Sequence, residues 1–178
     1  MIDLIILIAL IAGVIMGIRR GLLVQSIHLA GVIIALIIAA VSYKPLARQF
    51  EMLIPYPGVS TGTQLIIPTD GIDVDRTFYR LFAFVLVFIV AKVILQVVAS
   101  AFNHYAYLPI LQDWSRVGGA ALAVVEVYIV LYMLLNVLAM LPIDMISTRL
   151  DNSLFASFVV NHSPIISTIF EKLWYLYI

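Results

Sequence analysis

Cysteine is absent from the 178-residue chain, which excludes disulfides, Cys-ligated zinc, iron–sulfur clusters and thiol catalysis. Charge is scarce as well. Asp, Glu, Lys and Arg make up 11% of the residues, against about 25% in soluble proteins. Ten basic and ten acidic side chains leave a formal net charge of +0, so no nucleic-acid partner is expected. His28, His104 and His162 are the only histidines. None is paired at metal-ligand spacing, and no P-loop or dinucleotide fingerprint occurs. No cofactor is expected.

Apolar residues fill the space that charge leaves. They account for 64% of the chain, with a mean hydropathy of +1.14. No water-soluble fold of this length could bury so much apolar surface. The chain is therefore read as an all-α integral membrane protein, a single unit over 1–178. Four stretches qualify as transmembrane helices: 2–18, 22–41, 81–102 and 117–141. A bilayer core of about 30 Å needs about 20 apolar helical residues, with a lower limit near 17. The first span just meets that limit, and the fourth is long enough to tilt. A cleaved signal peptide would carry basic residues before its apolar stretch. Here Arg19-Arg20 follow it, so the first helix is expected to stay in the mature protein.

The segment 42–80 has another character. Pro45, Pro55, Pro57, Gly58, Gly62, Pro68 and Gly71 interrupt it repeatedly, which predicts a turn-rich extramembrane stretch. Leu46, Phe50 and Leu53 fall at i, i+4 and i+7, the spacing of a short amphipathic surface helix. Asp73 or Asp75 stands where an N-cap for the third helix belongs. Arg76 and Arg80 follow one turn apart, placed to reach headgroups. In the tail, 142–178, Ser163-Pro164 reads as an N-cap with proline at the first helical position. Ile165, Ile166, Ile169, Phe170, Leu173, Trp174 and Tyr177 then recur at helical spacing. With its Trp and Tyr, this run predicts a C-terminal amphipathic interfacial helix.

Basic residues should concentrate on the cytoplasmic side. With the N-terminus outside, the inner loops hold Arg19, Arg20 and Arg116, and the outer segments hold Lys44, Arg48, Arg76, Arg80, Arg149 and Lys172. That count favours the opposite orientation. Against it, Arg19-Arg20 fill a tiny hairpin without acidic neighbours, and the counts leave the orientation open.

Inside the membrane, two opposite charges stand at matching depth. Lys92 lies about 15 Å from the Phe102 end of its helix, and Glu126 about 13.5 Å from the Val117 end, at 1.5 Å per residue. A short connection makes these helices antiparallel neighbours. Each charge alone costs about 2.5–3.5 kcal/mol at a helix centre, so pairing is favoured. Gln96 and Ser100 continue the Lys92 stripe. Two readings follow: a solute or proton path lined by Lys92, Gln96, Glu126 and Asn136, or a buried bridge that sets helix register. The bridge weighs more, because one pair does not make a continuous pathway.

Small residues also recur at four-residue spacing: Ala9, Gly13, Gly17 and Gly21, then Gly31, Ala35 and Ala39, with Gly118, Gly119 and Ala123 opening the fourth span. Such ridges let backbones approach closely in lipid. Most are expected to serve packing within the chain, and some could serve oligomerisation. Gly58-Val59-Ser60-Thr61-Gly62 matches G-x-S-x-G, yet it sits among prolines without the strand and helix that a nucleophile elbow needs. Asp70, Asp73 and Asp75 lack the spacing of a calcium loop. The chain is expected not to be an enzyme.

At Gly17-Ile18-Arg19-Arg20-Gly21-Leu22 the sequence resembles the colicin V production (CvpA) family, whose hairpin reads G-x-x-R-G and is followed by glycine-containing apolar sequence, here Gly31. Tyr43-Lys44-Pro45-Leu46 resembles the family's exit from the second helix. Ser115-Arg116-Val117-Gly118-Gly119 resembles its Asp-Arg-x-x-Gly entry to the fourth. Asn152-Ser153-Leu154 and Ser163-Pro164 resemble its ending. Two positions depart: Ser115 replaces the usual Asp, and Glu126 stands where many relatives carry a basic residue or glycine. A Lys92–Glu126 pair would thus be a subgroup feature. The resemblance implies a four-helix protein of the bacterial cytoplasmic membrane, associated with colicin V production or export and with envelope integrity. It also implies that both termini are extracytoplasmic. The expected partners are the lipid bilayer and either further copies of the chain or other membrane proteins. A small oligomeric channel or transporter built on the Lys92–Glu126 face is the alternative.

Overall fold

The computed structural model describes residues 2–53, 73–101, 112–141, 149–150, 153–161 and 173–174. All regular structure among them is helical: α1 (Ile2–Leu53), α2 (Val74–Ser100), α3 (Gln112–Ala139) and α4 (Leu154–Asn161). Three of these helices, α1, α2 and the Trp114–Ala139 part of α3, are long and apolar enough to cross a membrane.

α1 is not one rod. At Gly21 the backbone leaves the helix, with φ 74° and ψ 174°, a conformation open essentially to glycine alone. The contacts on either side reveal a reversal. Going from Gly13 to Gly21, the facing residues in α3 run backwards, from Val127 through Ala123 and Gly119 to Ser115. Beyond Gly21 they run forwards, from Gly118 beside Leu22 to Glu126 beside Gln25. Residues 2–20 are therefore antiparallel to α3, and the arm after Gly21 is parallel to it. The break exposes the Leu22 N–H, which donates to Ser115 Oγ at 3.0 Å.

The second arm is the centre of the bundle. From Val24 and Gln25 onward, its buried positions His28, Val32, Ala35, Ala39, Tyr43 and Ala47 advance by three or four residues, the period of one helix face. Opposite it, α2 runs antiparallel: Gly31 faces Leu95, Tyr43 meets Phe84 at 5.8 Å and Phe50 meets Phe82 at 5.3 Å. Phe84, Phe88 and Leu81 from α2 join Tyr132, Met133 and Ala139 from α3 in one apolar core. On the outside, Ile8, Ile11, Ile37, Val93, Ile94 and Val97 remain exposed, as expected of side chains that meet lipid rather than water.

Several expected boundaries move. The second helix was expected to end at Val41, yet α1 continues through Pro45 to Leu53. Proline removes one backbone donor and strains its helix by about 3 kcal/mol. Burial of Tyr43 and Ala47, each 2% exposed, and packing of Phe50 on Phe82 offset that loss. Leu46 and Phe50 lean on this core while Leu53 stays exposed, so they extend α1 and form no separate surface helix. α2 begins at Val74, as a cap at Asp73 requires, and the apolar span from Leu81 lies inside it. Of the two candidate caps, Asp73 is the one used, its Oδ1 accepting from Arg76 N at 3.2 Å.

In the tail, α4 was not anticipated. The expected cap at Ser163-Pro164 lies outside the described residues. Leu173 and Trp174 are described, and they pack on the bundle. Trp174 is 2% exposed and sits edge-on to Phe84 at 5.3 Å, and Leu173 O accepts from Tyr43 Oη at 2.7 Å. The wet interface expected for Trp174 is replaced by an aromatic contact inside the protein.

Candidate functional site

Where α2, α3 and the two arms of α1 converge, polar side chains meet in an otherwise apolar interior. Lys92 Nζ lies 2.9 Å from Glu126 Oε1. Gln25, at the start of the second arm, donates from Nε2 to the other carboxylate oxygen, Glu126 Oε2, at 2.7 Å. Both oxygens of Glu126 are thus held, by helices on two sides. The Glu126 side chain is 8% exposed and that of Lys92 23%. A buried carboxylate is tolerated when paired and hydrogen-bonded in this way, and charge-assisted bonds of this length are the strong ones.

A cavity of about 440 Å³ adjoins this cluster. Its polar wall is Arg20, Gln25, Lys92, Gln96 and Glu126. Its apolar wall comes from the first arm, including Ile5, Ala9 and Met16, and from α3, including Val130 and Leu134. Apolar walls with a few convergent polar groups are the usual form of a ligand pocket, and the volume is in the usual range.

The residues named from the sequence separate into groups. Lys92, Glu126 and Gln96 come together at the cavity. Asn136 does not join them. It is buried, is not among this cavity's lining residues, and donates from Nδ2 to Tyr132 O, one turn back in its own helix. Ser100 likewise bonds back to Val97 O at 2.6 Å. Gly17, Gly21 and Gly119 form the closest helix crossing: a Cβ on Gly119 would stand 2.7 Å and 2.9 Å from the Gly21 backbone. Gly118 receives Leu22, and Gly31 lies against Leu95. Arg20 borders the cavity, whereas Arg19 and Arg116 are exposed. Ser60, Asp70, His104, His162 and Pro164 lie outside the described residues.

Ser153 has a structural task. Its Oγ accepts from Ala156 N at 3.1 Å as the N-cap of α4, and it donates to Asp3 Oδ1 at 2.7 Å. Asp3 also accepts from Phe155 N at 3.0 Å. The first turn of α1 therefore holds the first turn of α4, with a carboxylate set against free amides at a helix start.

Two participants, Gln25 and Asp3, carry no motif in the sequence, and Ser115 stands out there only as a departure from the family pattern. In the sequence, Gln25 is one of the few polar residues of the 22–41 stretch. Its spacing from Gly21, His28 and Val32 puts it on the buried stripe, which was the available signal. Ser115 acts on a residue 93 positions away and Asp3 on one 150 positions away, and no local pattern announces that.

The comparisons agree with one another. A family model described as "Colicin V production protein" matches residues 2–164. The uncharacterized transmembrane protein YshB of Bacillus subtilis (strain 168) is 33% identical over 177 residues, 99% of this chain and 99% of its own. No solved structure matches.

Proposed function

The chain belongs to the colicin V production protein family, and from that premise we propose a non-enzymatic, multi-pass protein of the bacterial cytoplasmic membrane. It supports colicin-type toxin production or export and envelope integrity, acting as an oligomer or as a partner of other membrane proteins. It crosses the bilayer four times, with both termini extracytoplasmic and an interfacial helix at the C-terminal end. The observation that carries this reading is the reversal at Gly21 within a chain matched to the family over 2–164. Residues 2–20 cover roughly 28 Å at 1.5 Å per residue, close to the bilayer core of about 30 Å, and the arm after Gly21 is longer. Together with α2 and α3 this supplies four apolar rods.

A chain without cysteine suits single-cysteine labelling. In spheroplasts, Leu53→Cys should react with an impermeant maleimide, and Arg19→Cys only after lysis. Equal labelling of both would overturn the four crossings, and the reverse pattern would overturn the orientation. For the role itself, a deletion strain should show an envelope-stress or toxin-output defect that the gene restores. A deletion strain indistinguishable from its parent would remove that role.

The cavity favours a second reading, a small channel or transporter using the Lys92–Glu126 face. It expects solute or proton flux in liposomes that changes when either charge is neutralised. Flux unchanged by both neutralisations, or no flux at all, counts against it.

A further inference from the structure

The cavity offers more polar capacity than the Lys92–Glu126 pair uses. Gln25 is 1% exposed, and its Oε1 has no hydrogen-bond partner although its Nε2 is held by Glu126. That oxygen is closed off from the cavity, so the spare polar capacity lies in the charges of the cavity wall. The charges on that wall do not cancel. Arg20 and Lys92 stand against Glu126 alone, and Arg20 makes no ion pair among the described residues. One positive charge is in excess.

The shape is directional. Because residues 2–20 run antiparallel to α3, Arg20 marks the end of the cavity nearest the Gly21 hairpin, and Ile5 with Leu134 marks the other. Ile5 to Arg20 spans roughly 22 Å of helix. Gln25 and Gln96 belong to the hairpin half, whereas Ile5, Val130 and Leu134 are apolar. Ile5 is 64% exposed and Met16 45%, so the cavity opens sideways, where lipid tails stand.

We propose that this cavity binds an anionic membrane glycerophospholipid. Its phosphodiester lies with Arg20 and Lys92 and neutralises the excess positive charge. One acyl chain runs from the hairpin half towards Ile5 and Leu134. A zwitterionic lipid would bring an ammonium to a wall that already carries two cations. A small soluble phosphate would leave the apolar half empty. This goes beyond the family role above and depends only on the chain residing in a membrane.

The test is lipid retention by the full chain, purified in mild detergent from a membrane of mixed phosphatidylglycerol and phosphatidylethanolamine and read by mass spectrometry. Phosphatidylglycerol should be retained several-fold above its share of the membrane. Arg20→Gln should lower that retention about ten-fold, the size of one lost charge-assisted bond. Ala12→Phe, on an exposed position of the cavity wall, should lower it by filling the tail groove. Arg19→Gln, exposed and outside the cavity, should leave it unchanged. Retention at the bulk lipid ratio overturns the proposal, and the wild-type composition alone decides this if a variant fails to accumulate. Equal losses for Arg19→Gln and Arg20→Gln would also overturn it, since the attraction would then be to the surface. Displacement by glycerol phosphate as effective as by the intact lipid would remove the acyl-chain part and with it the proposal.

Discussion

Removing the positive partner of Glu126 is the sharpest perturbation the structure offers. In Lys92→Met the carboxylate keeps one donor, Gln25 Nε2 at 2.7 Å, but loses the ammonium at 2.9 Å. Breaking a buried pair costs about 3–5 kcal/mol, because the surviving charge is left without compensation. One feature reduces that figure here: Gln25 still holds Glu126. We expect a loss of about 2–3 kcal/mol, less than full breakage of such a pair would cost. Glu126→Gln should fall in the same range, since it leaves the ammonium facing an amide. The double variant Lys92→Met/Glu126→Gln should recover most of the loss, because neutral replacement of both partners is often nearly neutral for stability. Its cycle should give a coupling of about 3–5 kcal/mol, the sum of the two single losses less the small residue left in the double. The exchanged pair, Lys92→Glu/Glu126→Lys, should also recover, since a flipped Gln25 amide can turn Oε1 towards an ammonium at position 126. The assay is reversible unfolding in detergent, with membrane accumulation as the cellular counterpart. Single variants within about 0.5 kcal/mol of wild type would refute the bridge and leave the charges to function alone.

Other expectations follow from the same geometry. Gly119→Ala should prevent stable accumulation, because its Cβ would meet the backbone of Gly17 and Gly21, which cannot step aside, whereas Gly31→Ala, with Leu95 Cβ at 3.6 Å, should leave the melting temperature near that of wild type. Gly21→Ala should destabilise by about 1–3 kcal/mol from its backbone conformation alone, with a further loss from the Ser115 Oγ that stands 2.7 Å from the new Cβ. Asp3→Ala and Ser153→Ala should each cost about 1 kcal/mol and speed hydrogen exchange in α4; the double variant should cost less than the sum, because the two side chains share one network. Tyr43→Phe should cost about 1 kcal/mol through its lost bond to Leu173 O, read as earlier proteolysis of the C-terminal end, and unchanged cleavage would contradict that anchoring.

The helical, membrane-embedded character and the approximate apolar stretches were determined by the sequence alone, because they depend on composition and on runs of side chains that one helix presents to lipid. The reversal near Arg19-Arg20-Gly21 and the small-residue ridges were legible for the same local reason. So was the matching depth of Lys92 and Glu126, since rise per residue converts spacing directly into height. Only the tertiary structure decided what those residues face. Pro45 reads locally as an exit, yet burial of Tyr43 and Ala47 carries the helix past it. Asn136 reads as part of a path, yet its amide turns back to Tyr132 O. Gln25 reads as a blemish in an apolar span, yet it completes the shell of Glu126 across a separation of 101 residues. Hydropathy is a sum over neighbours in sequence, whereas hydrogen bonding and packing are settled between residues that only folding brings together.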